Sequence, residues 1–160
     1  RSYWMIKLNK KLLIIRNGEI SDISEIEKID NSLKITIDNN ESFHKSKALK
    51  LAINNKNVIV CALNTELIGY IWYEYFWGYI PFISLIRVHK SYHRQGVGKK
   101  IFGFLEHKLK KDRITRILSS TEEENKRAII FHNNLGFKKC GYFKLENWGP
   151  NKELFFEKHI

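Results

Sequence analysis

The chain has 160 residues, 43% of them hydrophobic, and 28 Lys+Arg against 17 Asp+Glu give it a net charge of +11. That length suits one globular domain, which buries about two-thirds of the surface its unfolded form exposes. The positive excess favours an anionic partner (nucleic acid, membrane surface, acidic protein or phosphorylated small molecule), unless it only reflects a Lys-, Asn- and Ile-rich composition spread over most segments.

Cys61 and Cys140 lie far apart, without the close Cys/His spacing of a zinc site, so no metal is expected and the protein reads as reduced and cytoplasmic. Met5 is the only methionine, so Arg1 to Trp4 are expected to be additions to the natural chain. The apolar run Leu12 to Ile15 is too short for a signal peptide and lacks a small-residue cleavage site.

Leu12 to Arg16 predicts a first strand, stopped by Asn17-Gly18. Asp22 followed by Glu25 approximates a capping box for a helix carrying Ile23, Ile26 and Ile29. Asn31 to Asn40 is ambiguous: Leu33, Ile35 and Ile37 alternate like a short strand, but the flanking Asn and Asp residues read as loop. A second helix follows from Glu41 to Ile53, with Phe43, Ala48, Leu49 and Ala52 on its apolar side. Val58 to Ala62 is a strand, Asn64-Thr65-Glu66 a hairpin turn and Leu67 to Trp77 a long strand, with Tyr79 to Val88 returning antiparallel.

The stretch LIGYIWYEYFWGYIPFISLI, Leu67 to Ile86, approaches a membrane span in length. Glu74 near its centre, the breaks at Gly78 and Pro81 and the crowd of β-branched and aromatic residues mark two buried strands instead. A helix from Lys99 to Lys111, a strand Ile114 to Ser119, a helix capped by Thr121-x-x-Glu124 and ending before Gly136, and strands Phe137 to Leu145 and Leu154 to Lys158 complete the chain. The order is that of a mixed α/β domain, antiparallel early and crossing over through helices later, with no internal repeat and no domain boundary.

Between the strand ending at Val88 and the helix lies His93-Arg94-Gln95-Gly96-Val97-Gly98. Two glycines let backbone amides approach a ligand closely, and a helix N-terminus favours an anion, so the loop reads as a phosphate cradle or an ordinary tight turn. It is not a nucleotide P-loop, since no hydroxyl follows Lys99, nor a Rossmann fingerprint, whose third glycine is missing.

Leu85 to Gly98, with Val88, Tyr92 and Gly-x-Gly ahead of an amphipathic helix, resembles the acyl-CoA signature of the GNAT superfamily of N-acyltransferases. Asn125-Lys126-Arg127-Ala128-Ile129-Ile130-Phe131-His132-Asn133-Asn134-Leu135-Gly136-Phe137 resembles that family's later motif. The resemblance covers Val58 to Phe143 by motif and the N-terminal third by element order. It implies a mostly antiparallel central sheet with one splayed strand pair and flanking helices, with acetyl-CoA as acyl donor.

By the same resemblance, the backbone at Ile86 and Val88 pairs with the pantetheine arm. The amides of Arg94, Gln95, Gly96, Val97, Gly98 and Lys99 hold the pyrophosphate, with Arg94 or Lys99 adding charge-assisted contacts. His93 stands where the family commonly has Arg or Gln. Asn125 is expected to touch the pantetheine. His132, about two helical turns on, is expected on the same side, pointing at the thioester sulfur. It replaces a tyrosine often assigned as the acid that protonates departing CoA; the competing reading is that it only packs or hydrogen-bonds.

The expected reaction is direct attack of a primary amine on acetyl-CoA in a ternary complex. The oxyanion is met by a backbone N–H near Ile86 or Arg87. Glu74, the one acid in a long apolar stretch, is the candidate base, against a strand-edge or solvent-facing glutamate. The aromatic residues around it suit an acceptor pocket, a core or a homodimer interface. Two rival readings stand beside this. One is a basic nucleic-acid-binding module using Lys108, Lys110, Lys111, Arg113 and Arg116, although no nucleic-acid-binding motif is present; the other is a non-catalytic acyl-CoA sensor of the same fold.

Overall fold

The computed structural model describes residues 3–8, 11–33, 40–146 and 149–160. It begins with a strand the sequence reading did not anticipate. β1 (Tyr3–Leu8) alternates exposed and half-buried residues and pairs antiparallel with β2 (Lys11–Asn17) from Tyr3↔Arg16 to Leu8↔Lys11. Trp4 and Ile6 fall on its half-buried side, and the Trp4 ring meets Phe104 edge-on at 5.4 Å.

Asp22 does not cap the helix that follows it. Its carboxylate accepts from both Nη atoms of Arg16 (2.7 and 2.8 Å) and from the Glu19 amide (2.7 Å), closing a 3₁₀ turn at Ile20–Asp22 just before α1 (Ile23–Ile29). Asn31–Leu33 forms a second 3₁₀ turn; the ambiguous alternation through Ile35 and Ile37 lies outside the described residues.

The chain forms two compact units, Arg1–Tyr73 with Leu85–His107, and Glu74–Ser84 with Lys108–Ile160. In the first, α2 (Asn40–Asn54) places Leu49, Ala52 and Ile53 against Ile26 of α1. The same cluster takes Val58, Val60 and Ala62 of β3 (Val58–Leu63), and Tyr70 and Trp72 of β4 (Glu66–Phe76). β3 is buried at all six positions, as an all-apolar run must be when both its faces are covered. It pairs antiparallel with β2 and with β4, with a register shift at Cys61/Ala62. β5 (Ile80–Val88) lies beside β4 and brings Leu85 against the α1 and α2 cluster. α3 (Val97–Lys111) begins two residues earlier than the sequence suggests.

In the second unit, β4 and β5 meet in a two-residue turn: Trp77 (φ 53°) and Gly78 (φ 82°) are both left-handed and Tyr79 N–H donates to Phe76 O (3.2 Å). That is the type I′ geometry whose twist matches paired strands. β6 (Arg116–Glu122) pairs parallel with β5 only at Phe82↔Leu118 and Ile83↔Ser119, and antiparallel with β8 (Glu153–His159) over seven positions. β7 (Lys138–Phe143) closes the edge against β8.

The capping box expected at Thr121 does not form, because Thr121 and Glu122 remain in β6 opposite Leu154 and Glu153. α4 (Lys126–Asn134) is capped by Asn125 instead. The architecture is the mixed α/β, mostly antiparallel sheet expected from the sequence. Among the described residues no helix is long and apolar enough to cross a membrane.

Candidate active site

β5 ends at Val88, and the chain reaches α3 through a 3₁₀ turn at Lys90–Tyr92 and a loop with two left-handed residues, Arg94 (φ 60°) and Gly96 (φ 75°). Its polar side chains brace its own backbone. His93 Nε2–H donates to Val88 O (2.7 Å), Gln95 Nε2 to Ser91 O (3.1 Å), and His89 Nδ1 accepts the Ser91 amide (3.3 Å). The His89 amide donates in turn to Ile68 O of β4 (2.7 Å). His93 is thus a strut between strand and loop.

The first amide spent inside α3 is that of Lys100, on Gly96 O (3.1 Å), so the amides of Val97, Gly98 and Lys99 have no intrahelical acceptor. Among the described residues no backbone acceptor meets the amides of Arg94, Gln95 or Gly96 either. Arg94 and Lys99 are exposed beside them. Free amides at a helix N-terminus flanked by two cations suit a pyrophosphate. A Cβ on Gly96 would lie 3.4 Å from Lys100 Nζ and would be held at a φ that L-residues rarely adopt.

The strand leading to this loop is fixed from both faces. Toward α3, a Cβ on Gly69 of β4 would lie 2.9 Å from Ile101 Cδ1, 3.0 Å from Arg87 O and 3.4 Å from Val88 Cγ2, so glycine is what lets β5 and α3 approach. On the α1 side, the buried Asp30 carboxylate accepts from Tyr70 Oη (2.8 Å) and lies 3.4 Å from Arg87 Nε. Burial and the neighbouring Asp30 charge push the Tyr70 phenol well above its ordinary range, so it stays a donor.

The sequence reading missed Asp30 and Tyr70. Asp30 extends the inward row of Ile23 and Ile26 by one more turn, and an acid in that row was the available signal.

Three of the expected site residues, Glu74, Asn125 and His132, lie in the second unit. Glu74 is exposed, so the burial that singled it out as a base is absent. β4 leaves its covered stretch after Tyr73, and an apolar sequence on both sides of Glu74 does not by itself bury it.

His132 is buried, with neither ring nitrogen free. Nδ1–H donates to Ala128 O (2.6 Å), which leaves Nε2 to accept from the Ser119 hydroxyl (2.7 Å). The ring stacks on Phe156 at 4.7 Å and 16°. Burial holds the imidazole pKa below its ordinary value against the opposing Ala128 bond, so His132 is neutral near pH 7. Buried, neutral and holding the Ser119 hydroxyl by a hydrogen bond, the ring has the surroundings of the competing reading, a histidine that packs and hydrogen-bonds.

Asn125 does not face the same way as His132. It stands outside the helical spacing as the cap, exposed, with Oδ1 accepting from the Ala128 amide (3.1 Å) and Nδ2 left to donate.

An apolar strand delivering a glycine loop of free amides to a helix N-terminus, within a mixed sheet containing one short parallel pair, marks an α/β protein with an anion-binding loop. The family model of the acetyltransferase (GNAT) family matches residues 22–137, and the chain belongs to that family. A GNAT-family acetyltransferase from Bacillus cereus shares 23% identity over 92% of this chain and 96% of its own, with a TM-score of 0.72. A Bacillus anthracis protein described as a streptothricin acetyltransferase, solved with acetyl coenzyme A, is similar at 21% identity over 92% of this chain and 97% of its own (TM-score 0.73). So is the PaiA N-acetyltransferase of Thermoplasma acidophilum, solved with coenzyme A, at 16% identity over 92% and 99% (TM-score 0.71). Among curated protein sequences none matches.

Proposed function

We propose that the chain transfers the acetyl group of acetyl-CoA to a primary amine by direct attack in a ternary complex. The observation that carries the donor assignment is the set of loop amides from Arg94 to Lys99, left without backbone acceptors beside two exposed cations. The loop's own side chains brace its backbone, which lowers the ordering cost of binding a pyrophosphate. The β5 carbonyls of Ile86 and Val88 each accept one side-chain bond, from Arg87 Nη1 and His93 Nε2, and their second lone pairs suit the pantetheine amides. A β5 amide near Ile86 or Arg87 meets the oxyanion.

Cysteine chemistry favours direct attack over an acetyl-enzyme. Burial pushes the Cys61 thiol up to about 12, and burial with the nearby Glu157 charge raises Cys140 as well, so neither is an activated nucleophile. The departing CoA thiolate needs little help, with a thiol pKa near ~8.5. The attacking amine, with pKa near ~10.4, must instead shed its proton, and the rate is expected to rise with pH through neutrality.

Two measurements test this reading. Acetyl-CoA should raise the melting temperature, and thiol release should depend on an added amine. A protein that acetyl-CoA does not stabilise at millimolar concentration lacks the proposed donor site.

A further inference from the structure

The guanidinium of Arg87 is held in place without being used up. Nε faces the Asp30 carboxylate (3.4 Å) and Nη1 donates to Ile86 O (3.1 Å), while Nη2 has no protein partner among the described residues. The side chain keeps 48% of its surface exposed, whereas that of Asp30 keeps 7%. Asp30 is itself anchored by the fully buried Tyr70. A planar fork with two nitrogens fixed and its outer edge open is a ready acceptor of a carboxylate, which takes two parallel N–H donors in one plane.

The position of this fork separates it from the donor loop. Val88 and Ile101 of α3 converge on Gly69, which puts Val88 on the α3 side of β5. Leu85 packs on the α1 and α2 cluster, and Arg87, two residues on, shares that face and reaches Asp30 at the end of α1. The guanidinium is therefore on the face of β5 opposite α3, whose N-terminus carries the free amides. A phosphate held by that N-terminus leaves Arg87 available to a different ligand.

We infer that Arg87 binds a carboxylate on the acceptor, so that the acceptor class is amino acids and related amines carrying a carboxylate near the reacting nitrogen. The inference rests on the acetyl-transfer reading for its reaction but names a separate contact. Asp30 and Tyr70 act through Arg87 as positioning residues: they fix Nε, and so the direction of the open edge.

The test compares α-, β- and γ-amino acids with the matching amines that lack the carboxylate, and with the amino-acid amides, at saturating acetyl-CoA. With the wild-type protein the best carboxylated amine should exceed its matched amine at least tenfold in kcat/KM. In Arg87→Gln, which still offers Asp30 a donor, the ratio should fall to near one; Arg87→Lys should be intermediate. The Kd for acetyl-CoA of each variant, measured in parallel, separates a lost acceptor contact from a damaged donor site.

Thermal shift of the CoA-saturated wild-type protein with the same compounds gives a readout that needs no turnover. Equal or better use of the matched amines, no binding of any carboxylated amine, or a preference that survives Arg87→Gln would each overturn the assignment. Failure of acetyl-CoA itself to bind would strike the acetyl-transfer reading instead, and is read separately.

Discussion

His132 Nε2 accepts a hydrogen bond from the Ser119 hydroxyl across 2.7 Å, the tautomer being fixed because Nδ1–H is committed to Ala128 O. The ring is neutral because burial lowers its pKa, with the Ala128 bond opposing. Between the folded pKa and the unfolded value near ~6.5 the unfolded chain binds more protons than the folded one, so stability falls as pH drops through that window. Above it the contribution is fully present. Denaturation midpoints at pH 7.5 and pH 5 should therefore differ less in His132→Gln than in wild type; an equal difference would mean that the buried imidazole is not the group responsible.

The same bond predicts how Ser119→Ala behaves. The variant leaves Nε2 buried without a donor, at a cost of about 1–3 kcal/mol. Urea unfolding should report that loss, and the pH profile of turnover should keep its shape. A lost acidic or basic limb in Ser119→Ala would give the pair a part in proton transfer.

Gly69 tests whether the donor loop depends on close packing behind it. A methyl group there meets Ile101 Cδ1 at 2.9 Å and the Arg87 carbonyl at 3.0 Å, and backbone cannot swing aside as a flexible side chain can. Gly69→Ala should cost about 1–3 kcal/mol in stability and weaken acetyl-CoA binding by displacing the end of β5. Gly141→Ala, where an added Cβ meets nothing within 4 Å, is the matched control.

What could be read from the sequence divides along physical lines. Long periodic elements and the glycine loop were legible, because amphipathic spacing and Gly96-Val97-Gly98 are local signals. β1 was not, since Tyr3–Leu8 shows only half-buried alternation and needs β2 beside it to be a strand. Whether Glu74 was buried or solvent-facing stayed open, because apolar neighbours in sequence say nothing about where a sheet loses its cover; it is solvent-facing. For His132, spacing gives a direction around a helix but not the partner, and Ser119 on β6 holds the nitrogen. The Arg87 and Asp30 pair joins residues 57 positions apart, a relation that neither local sequence carries.

Gly96 lies at the centre of the donor assignment and its substitution separates conformation from charge. At φ 75° an alanine incurs about 1–3 kcal/mol of backbone strain, and relief by moving to negative φ would turn the neighbouring amides away from a common point. Gly96→Ala should raise the Kd for acetyl-CoA at least tenfold and lower the melting temperature without ligand by about 2–4 °C for each kcal/mol of that strain. Arg94→Ala and Lys99→Ala remove only charge, and each should weaken binding several-fold with a loss that shrinks as salt rises. Calorimetric titration at 50 and 500 mM salt distinguishes the two patterns: amides that carry the binding make the Gly96 defect persist at high salt, and a Gly96→Ala protein that binds acetyl-CoA like wild type would refute the cradle.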